Sequence, residues 1–135
     1  MLKHHLQQLA EDLKLDSIPP KEDQGYMLPL NSKTTLLIRE LSPGVFVSAP
    51  ICPCPKEKKE SLLSLLMKAN FLGQGTLGAV IGLDKDEKFL TLSLDLPYDM
   101  NYRSFREMVE DFANILDYWK EEIRHHQEAA KNQPL

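Results

Sequence analysis

The chain has 135 residues, 42% of them hydrophobic and 27% charged, with a formal net charge of −4. That length suits one domain with a modest core, and no apolar run approaches the roughly 20 residues that span a bilayer. The acidic balance argues against a partner held through nucleic-acid phosphates, which needs a basic surface.

The first fifteen residues lack a continuous apolar stretch and carry Glu11 and Asp12. They are not read as a secretory signal, and a cytosolic location is expected. Leu2, Leu6, Leu9 and Leu13 recur at spacings of four, three and four. This predicts a helix from Leu2 to Leu15 with one apolar stripe, stopped by Asp16-Ser-Ile-Pro-Pro20. After a polar loop comes a short strand from Tyr26 to Leu30, where Pro29 suits a sheet edge. Thr34 to Leu41 is a second strand, with Leu36 and Ile38 opposite Thr35, Leu37 and Arg39. Val45 to Ile51 is a third, with Val45, Val47, Ala49 and Ile51 on one face. Turn residues between them point to an antiparallel meander.

Pro50-Ile-Cys-Pro-Cys-Pro55 then breaks the pattern. Cys52 and Cys54 are too close to staple a fold. A strained ring or a metal site is conceivable, but a reducing cytosol most simply leaves them as thiols. Lys56, Lys58 and Lys59 alternate with Glu57 and Glu60, the signature of a solvated helix start. A second helix is predicted from Lys56 to Leu72, stopped by Gly73. Strands follow at Thr76–Leu83 and Lys88–Leu96, joined by a short hairpin loop. The last alternates Leu90, Leu92, Leu94 and Leu96 with Thr91, Ser93 and Asp95, so one sheet face is buried and the other wet. A third helix begins near Asn101 or Ser104, with either residue able to cap it. Phe105, Val109, Phe112, Leu116, Trp119 and Ile123 form its seam, flanked by Met108 and Ile115.

The fold class is therefore α+β, a five-stranded antiparallel sheet with three helices in the order α-β-β-β-α-β-β-α. Residues 1–124 are expected to form a single domain, and residues 125–135 a polar tail that frays.

Three features of the sequence bear on chemistry. Gly73-Gln-Gly75-Thr-Leu-Gly78 matches the spacing of a dinucleotide loop, but it follows a helix and opens a strand, the reverse of the binding context. A sharp turn explains the glycines. His4-His5 and His125-His126 are neighbours about 100° apart on a helix, so neither pair makes a clamp, and exposed helix histidines are expected. No serine, cysteine or carboxylate sits in a catalytic context. No enzyme activity, cofactor or metal is assigned.

Asn70-Phe-Leu-Gly73, Gly75, Gly78 and Ile81-Gly-Leu-Asp84 resemble the central segment of class I type III secretion chaperones, the Tir-chaperone family. Leu90–Pro97 followed by Phe105, Phe112 and Trp119 looks like their last strand and C-terminal helix. The resemblance implies a binding protein of the bacterial cytoplasm, without enzyme activity or cofactor. Its partner would be the N-terminal region of a secreted effector, held extended and export-competent. It also implies a homodimer, or a heterodimer with a sister chaperone, and no direct nucleic-acid contact or membrane insertion. A same-fold regulatory protein that binds RNA polymerase or a transcription regulator is the alternative.

Carried over by position, the family's dimer interface falls on Leu62, Leu65, Leu66, Leu77, Ala79 and Ile81. Its effector groove falls on Leu6, Leu9, Leu13, Leu28, Leu36, Ile38, Val45 and Val47. The Pro-rich segment departs from the family pattern and suggests a reshaped dimer edge.

Overall fold

The structure is a computed structural model that describes residues 2–15, 18, 20–21, 25–73 and 75–132. Helix α1 (Leu2–Asp12) buries Leu2, Leu6, Leu9 and Ala10, the stripe its leucine spacing predicts. It stops short of Leu15 because Lys14 turns left-handed, with φ of 58°. The Leu15 N–H donates to the Ala10 carbonyl at 2.8 Å and the Lys14 N–H to Glu11 at 3.2 Å. These are the paired bonds of a Schellman ending. Leu13 falls outside the stripe and is 44% exposed.

Six strands follow the order β1-β2-β3-β4-β6-β5. They are β1 (Pro20–Lys21), β2 (Gly25–Pro29), β3 (Thr35–Glu40), β4 (Val45–Pro53), β5 (Val80–Leu83) and β6 (Phe89–Leu96). The two-residue β1 adds to the five strands expected. Pairing is antiparallel from β1 through β4. Its register sets Leu28 opposite Leu36 and Ile38 opposite Val47, and all four are buried. Because strand side chains alternate, this register puts every aliphatic residue of that set on one face.

The Pro-rich segment does not end β4. The strand runs through Pro50, Ile51, Cys52 and Pro53, and the Cys54 N–H donates to the Lys88 carbonyl at 2.8 Å. Pairing with β3 reaches only to Ser48, so beyond it the missing proline N–H groups leave no gap in that ladder.

Helix α2 (Lys59–Asn70) starts three residues later than the charge pattern suggests, after Lys58 in a left-handed conformation. It passes into a 3₁₀ turn, Phe71–Gly73. The segment from Thr76 to Ala79, expected as strand, is a turn closed by Gly78 N–H to Gly73 carbonyl and Ala79 N–H to Thr76 carbonyl, each at 3.1 Å. In β6 the leucine alternation holds for Leu90 and Leu92, which are fully buried, whereas Leu94 and Leu96 are half-buried.

Helix α3 (Tyr102–Asn132) is capped by Asn101, whose Oδ1 accepts from the Ser104 N–H at 2.9 Å, as an N-cap side chain does. Its seam from Phe105 to Ile123 is buried throughout. The helix continues past His125, where a frayed tail was expected. Arg124 bridges Glu121 at 2.7 Å and Glu128 at 2.6 Å, pairs that support an exposed helix.

The chain divides into two compact units. Unit 1 comprises Met1–Ala49 with Ser93–Asp111, and unit 2 comprises Pro50–Leu92 with Phe112–Leu135. β4, β6 and α3 each continue from one unit into the other.

Candidate interaction surfaces

In unit 1, α1 and β2–β4 carry the residues expected to line an effector groove. Leu6, Leu9, Leu28, Leu36, Ile38, Val45 and Val47 are buried in the core of this unit, and Leu13 is the exposed member of the set. The side chains that alternate with them, Met27, Leu37 and Phe46, are half-buried and reach solvent. Sequence reasoning passed over these three because it read each strand for its most aliphatic face. The register shows them to be the more accessible apolar groups. β1 pairs only with Gly25 and Tyr26. Among the described residues, therefore, no strand lies outside β2 from Met27 to Pro29.

Polar contacts fix the helices of this unit. The His5 ring stacks on Phe105 with centroids 5.3 Å apart, and its Nε2 lies 2.8 Å from the Met100 carbonyl. His5 is thus a half-buried packing residue and not the exposed helix histidine that was expected. Asp12 accepts from the Tyr102 hydroxyl and pairs with Arg106 at 3.6 Å.

In unit 2, the expected dimer residues Leu62, Leu66, Ala79 and Ile81 are buried, Leu65 is half-buried, and Leu77 is 72% exposed. Helix α2 and the 3₁₀ turn after it carry a second apolar stripe, Leu63, Met67 and Phe71, at spacings of four. Met67 is 73% exposed and Phe71 66%. Together with Glu60, Ser64 and Lys68 they line an open trough of about 510 Å³. The signal for this stripe was present in the sequence. The expected dimer set took Leu62, Leu65 and Leu66 from this helix, of which Leu62 and Leu66 face the core and Leu65 is half-buried.

Asn70 ties α2 to the edge strand β5. Its Nδ2 donates to the Ile81 carbonyl at 2.7 Å, and its Oδ1 accepts from the Ile81 N–H at 2.8 Å. The side-chain amide thus satisfies both backbone groups of Ile81, as a neighbouring strand would. The glycine turn supports the same region. The Gly75 N–H donates to the Ala69 carbonyl at 3.0 Å, and its own carbonyl accepts from the Trp119 indole at 3.0 Å. A β-carbon on Gly75 would lie 2.9 Å from the Ala69 α-carbon. The N–H groups of Gly75 and Gly78 both donate to backbone carbonyls within the turn, to Ala69 and Gly73.

Cys52 and Cys54 are half-buried thiols. Burial raises the Cys52 pKa, Cys54 raises it further, and Lys120 opposes both. Raised thiols are poor nucleophiles at neutral pH. Among the described residues, no group of three histidine, cysteine or acidic side chains is placed to hold a metal ion. No helix among them is long and apolar enough to cross a membrane.

The sequence matches the model of the Tir chaperone protein (CesT) family over residues 4–120. The chain belongs to that family. No curated protein matches this CesT-family chain significantly. Among solved structures it is similar to the ExsC–ExsE complex, with a TM-score of 0.74 and 13% identity over 89% of this chain and 91% of that one. It is also similar to the Yersinia pestis type III secretion chaperone SycH bound to a stable fragment of YscM2, with a TM-score of 0.65 and 13% identity over 87% and 96%. YbjN, a putative transcription regulator from E. coli, has a TM-score of 0.59 and 21% identity over 92% of both chains. At these identities the likeness is one of fold.

Proposed function

We propose that this CesT-family chain is a type III secretion chaperone that binds the N-terminal region of a secreted effector in extended form and keeps it export-competent. The observation that carries the reading is the family match from residue 4 to 120, which takes in every element from α1 to the greater part of α3. An extended client gains main-chain hydrogen bonds at an open strand edge and anchors its side chains on apolar ground. The edge of β2 that carries no strand from Met27 to Pro29 among the described residues, and the Leu13, Met27, Leu37 and Phe46 side chains, supply these two kinds of contact. The buried set of Leu6, Leu9, Leu28, Leu36, Ile38, Val45 and Val47 backs them as a rigid wall. Ordering a disordered client costs entropy, so a long contact is needed.

The working form in this reading is a dimer built on α2 and β5. Leu62, Leu66, Ala79 and Ile81 support the interface from below, and Leu65, Leu77, Met67 and Phe71 make the contact. The protein acts in the bacterial cytoplasm by binding, without bond-making chemistry or a cofactor. The test is light scattering on the chain alone and after co-expression with effector N-termini. A mass of twice 15.5 kDa that rises by one client is expected. A chain that captures no effector but co-purifies with RNA polymerase or a regulator would move the assignment to the transcription-linked alternative.

A further inference from the structure

We propose that Cys52 and Cys54 form a two-coordinate thiolate site for a soft monovalent metal ion, Cu(I) being the ion of that chemistry that a cell supplies. This goes beyond the chaperone reading and does not depend on client binding.

The local sequence sets the geometry. Each cysteine stands before a proline, Pro53 and Pro55, and a residue before proline is pushed into extended backbone. Cys52 lies in β4, and Cys54 follows its last residue, Pro53. The bond from the Cys54 N–H to the Lys88 carbonyl, 2.8 Å long, keeps Cys54 in line with the strand. Residues two apart in a strand share a face. Val45, Val47, Ala49 and Ile51 take the core face of β4, so both thiols fall on the other face, where each is half-buried. The two are close enough for the charge of Cys54 to act on Cys52.

That spacing rejects a disulfide and admits an ion. Two residues of strand rise put the α-carbons about 6.6 Å apart, and the β-carbons, pointing the same way, nearly as far. A disulfide needs its β-carbons within about 4.5 Å, an approach that the prolines and the Lys88 bond oppose. Two metal–thiolate bonds in line, each about 2.3 Å as for zinc, set the sulfurs about 4.6 Å apart. Side chains that lean toward each other from the two β-carbons reach that separation. The donor set then selects the ion. Structural zinc takes four ligands and calcium about six to eight oxygens. Among the described residues, no third histidine, cysteine or acidic side chain joins the pair. Cu(I) is soft, prefers thiolate and is satisfied by two sulfurs in line. On binding, two thiols and one Cu(I) give a bis-thiolate of single negative charge and release both thiol protons. Lys120 of α3, whose charge also acts on Cys52, offsets that negative charge.

The experiment offers the full reduced chain Cu(I) held by bathocuproine disulfonate, with ascorbate present and oxygen excluded. The chain should withdraw one ion from the chelator, and both cysteines should then resist iodoacetamide, read by mass spectrometry. Cys52→Ser and Cys54→Ser should each lower the affinity by more than about a hundredfold, since even an outer contact to a metal ligand is worth about 10–100-fold. Circular dichroism checks their folding, and the labelling of the parent needs no variant. Zn(II) held by an indicator dye should stay on the dye.

Cu(I) uptake that survives in either serine variant would move the ion to other side chains and overturn the proposal. Cysteines alkylated as fast with Cu(I) as without it would do the same. A Cys52–Cys54 disulfide that forms readily with oxidised glutathione would show that β4 bends where the spacing forbids it, and would remove the geometric ground. One ion per two chains would place sulfurs from two copies on it in place of this pair, and a chain that strips zinc from the dye would need more donors than the pair supplies.

Discussion

Unit 1 keeps its large apolar side chains inside, whereas unit 2 leaves several outside. Nine large apolar residues are exposed among the described ones. Leu13 and Tyr98 belong to unit 1, and Met67, Phe71, Leu77, Val80, Leu83, Phe89 and Tyr118 belong to unit 2. Scattered exposed hydrophobic residues are ordinary, but a clustered set marks an interaction site. In the proposed function, the contrast separates two ways of binding. Unit 1 offers strand backbone with half-buried side chains, which suits an extended client. Unit 2 offers a helix face prebuilt by its own buried stripe, which suits a folded partner. An apolar stripe that reaches the core and one that reaches a partner look alike in a helix, and burial tells them apart.

The largest expected effect tests that contrast with two phenylalanines. Phe105 in unit 1 is fully buried, so Phe105→Ala should cost about 3–5 kcal/mol in urea unfolding through the cavity it leaves. Phe71 in unit 2 is mostly exposed, so Phe71→Ala should leave the unfolding of the dilute monomer within about 0.5 kcal/mol of the parent. The same change should cost association about 2 kcal/mol, as aromatic anchors at interfaces do. Comparable losses of monomer stability at both positions would abolish the distinction between the units.

The next effect sharpens the account of unit 2. Asn70→Ala removes both bonds to Ile81, so unfolding should become easier by about 1–3 kcal/mol. Amide exchange at Ile81 should accelerate, because its N–H loses the Asn70 Oδ1 acceptor. Asn70→Asp keeps the acceptor for that N–H and loses the donor to the carbonyl, so it should fall between the two. Unchanged exchange at Ile81 in Asn70→Ala would show that the clamp does not hold the edge.

Smallest is the pH response of α3 in unit 2. The Arg124 guanidinium, by hydrogen bond first and by charge second, lowers the Glu121 pKa below the ordinary glutamate value. A carboxylate depressed in the native state stabilises the fold above its unfolded pKa, and that contribution fades as pH falls through the lowered native value. Helicity of the last turns should therefore drop in mild acid, below the ordinary glutamate range. Arg124→Ala should remove this dependence and slightly lower helicity at neutral pH. A carboxyl titration of Glu121 by NMR that is the same in the parent and the variant would refute the pairing.

Much of the fold was legible because the core uses simple periods. Leu2, Leu6 and Leu9 of α1, Leu90 and Leu92 of β6 and the aromatic seam of α3 repeat at the spacing of their own element and are buried, while Leu13, Leu94 and Leu96 at the ends of those patterns are not. What failed was punctuation. Prolines at 50 and 53 read as breaks, yet β4 passes through them, because the β3 ladder ends at Ser48. Thr76 and Leu77 read as strand, yet the Gly73–Gly78 bond closes them into a turn. The candidate surfaces were less legible than the fold. Sequence pattern ranks apolar residues by type, so it nominated Leu36 and Ile38, which are buried, over Leu37, and the leucines of α2 over Met67 and Phe71.

The sequence by itself determined the α+β order, the apolar faces of the long elements and the family, since these depend on local spacing and residue type. Only the tertiary structure decided which apolar stripe of α2 is covered and that Asn70 closes the β5 edge at Ile81. It also decided that the glycine turn offers the Gly75 carbonyl to the Trp119 indole. Each of these depends on which residues distant in sequence come to share one surface, and side-chain period alone carries no record of that.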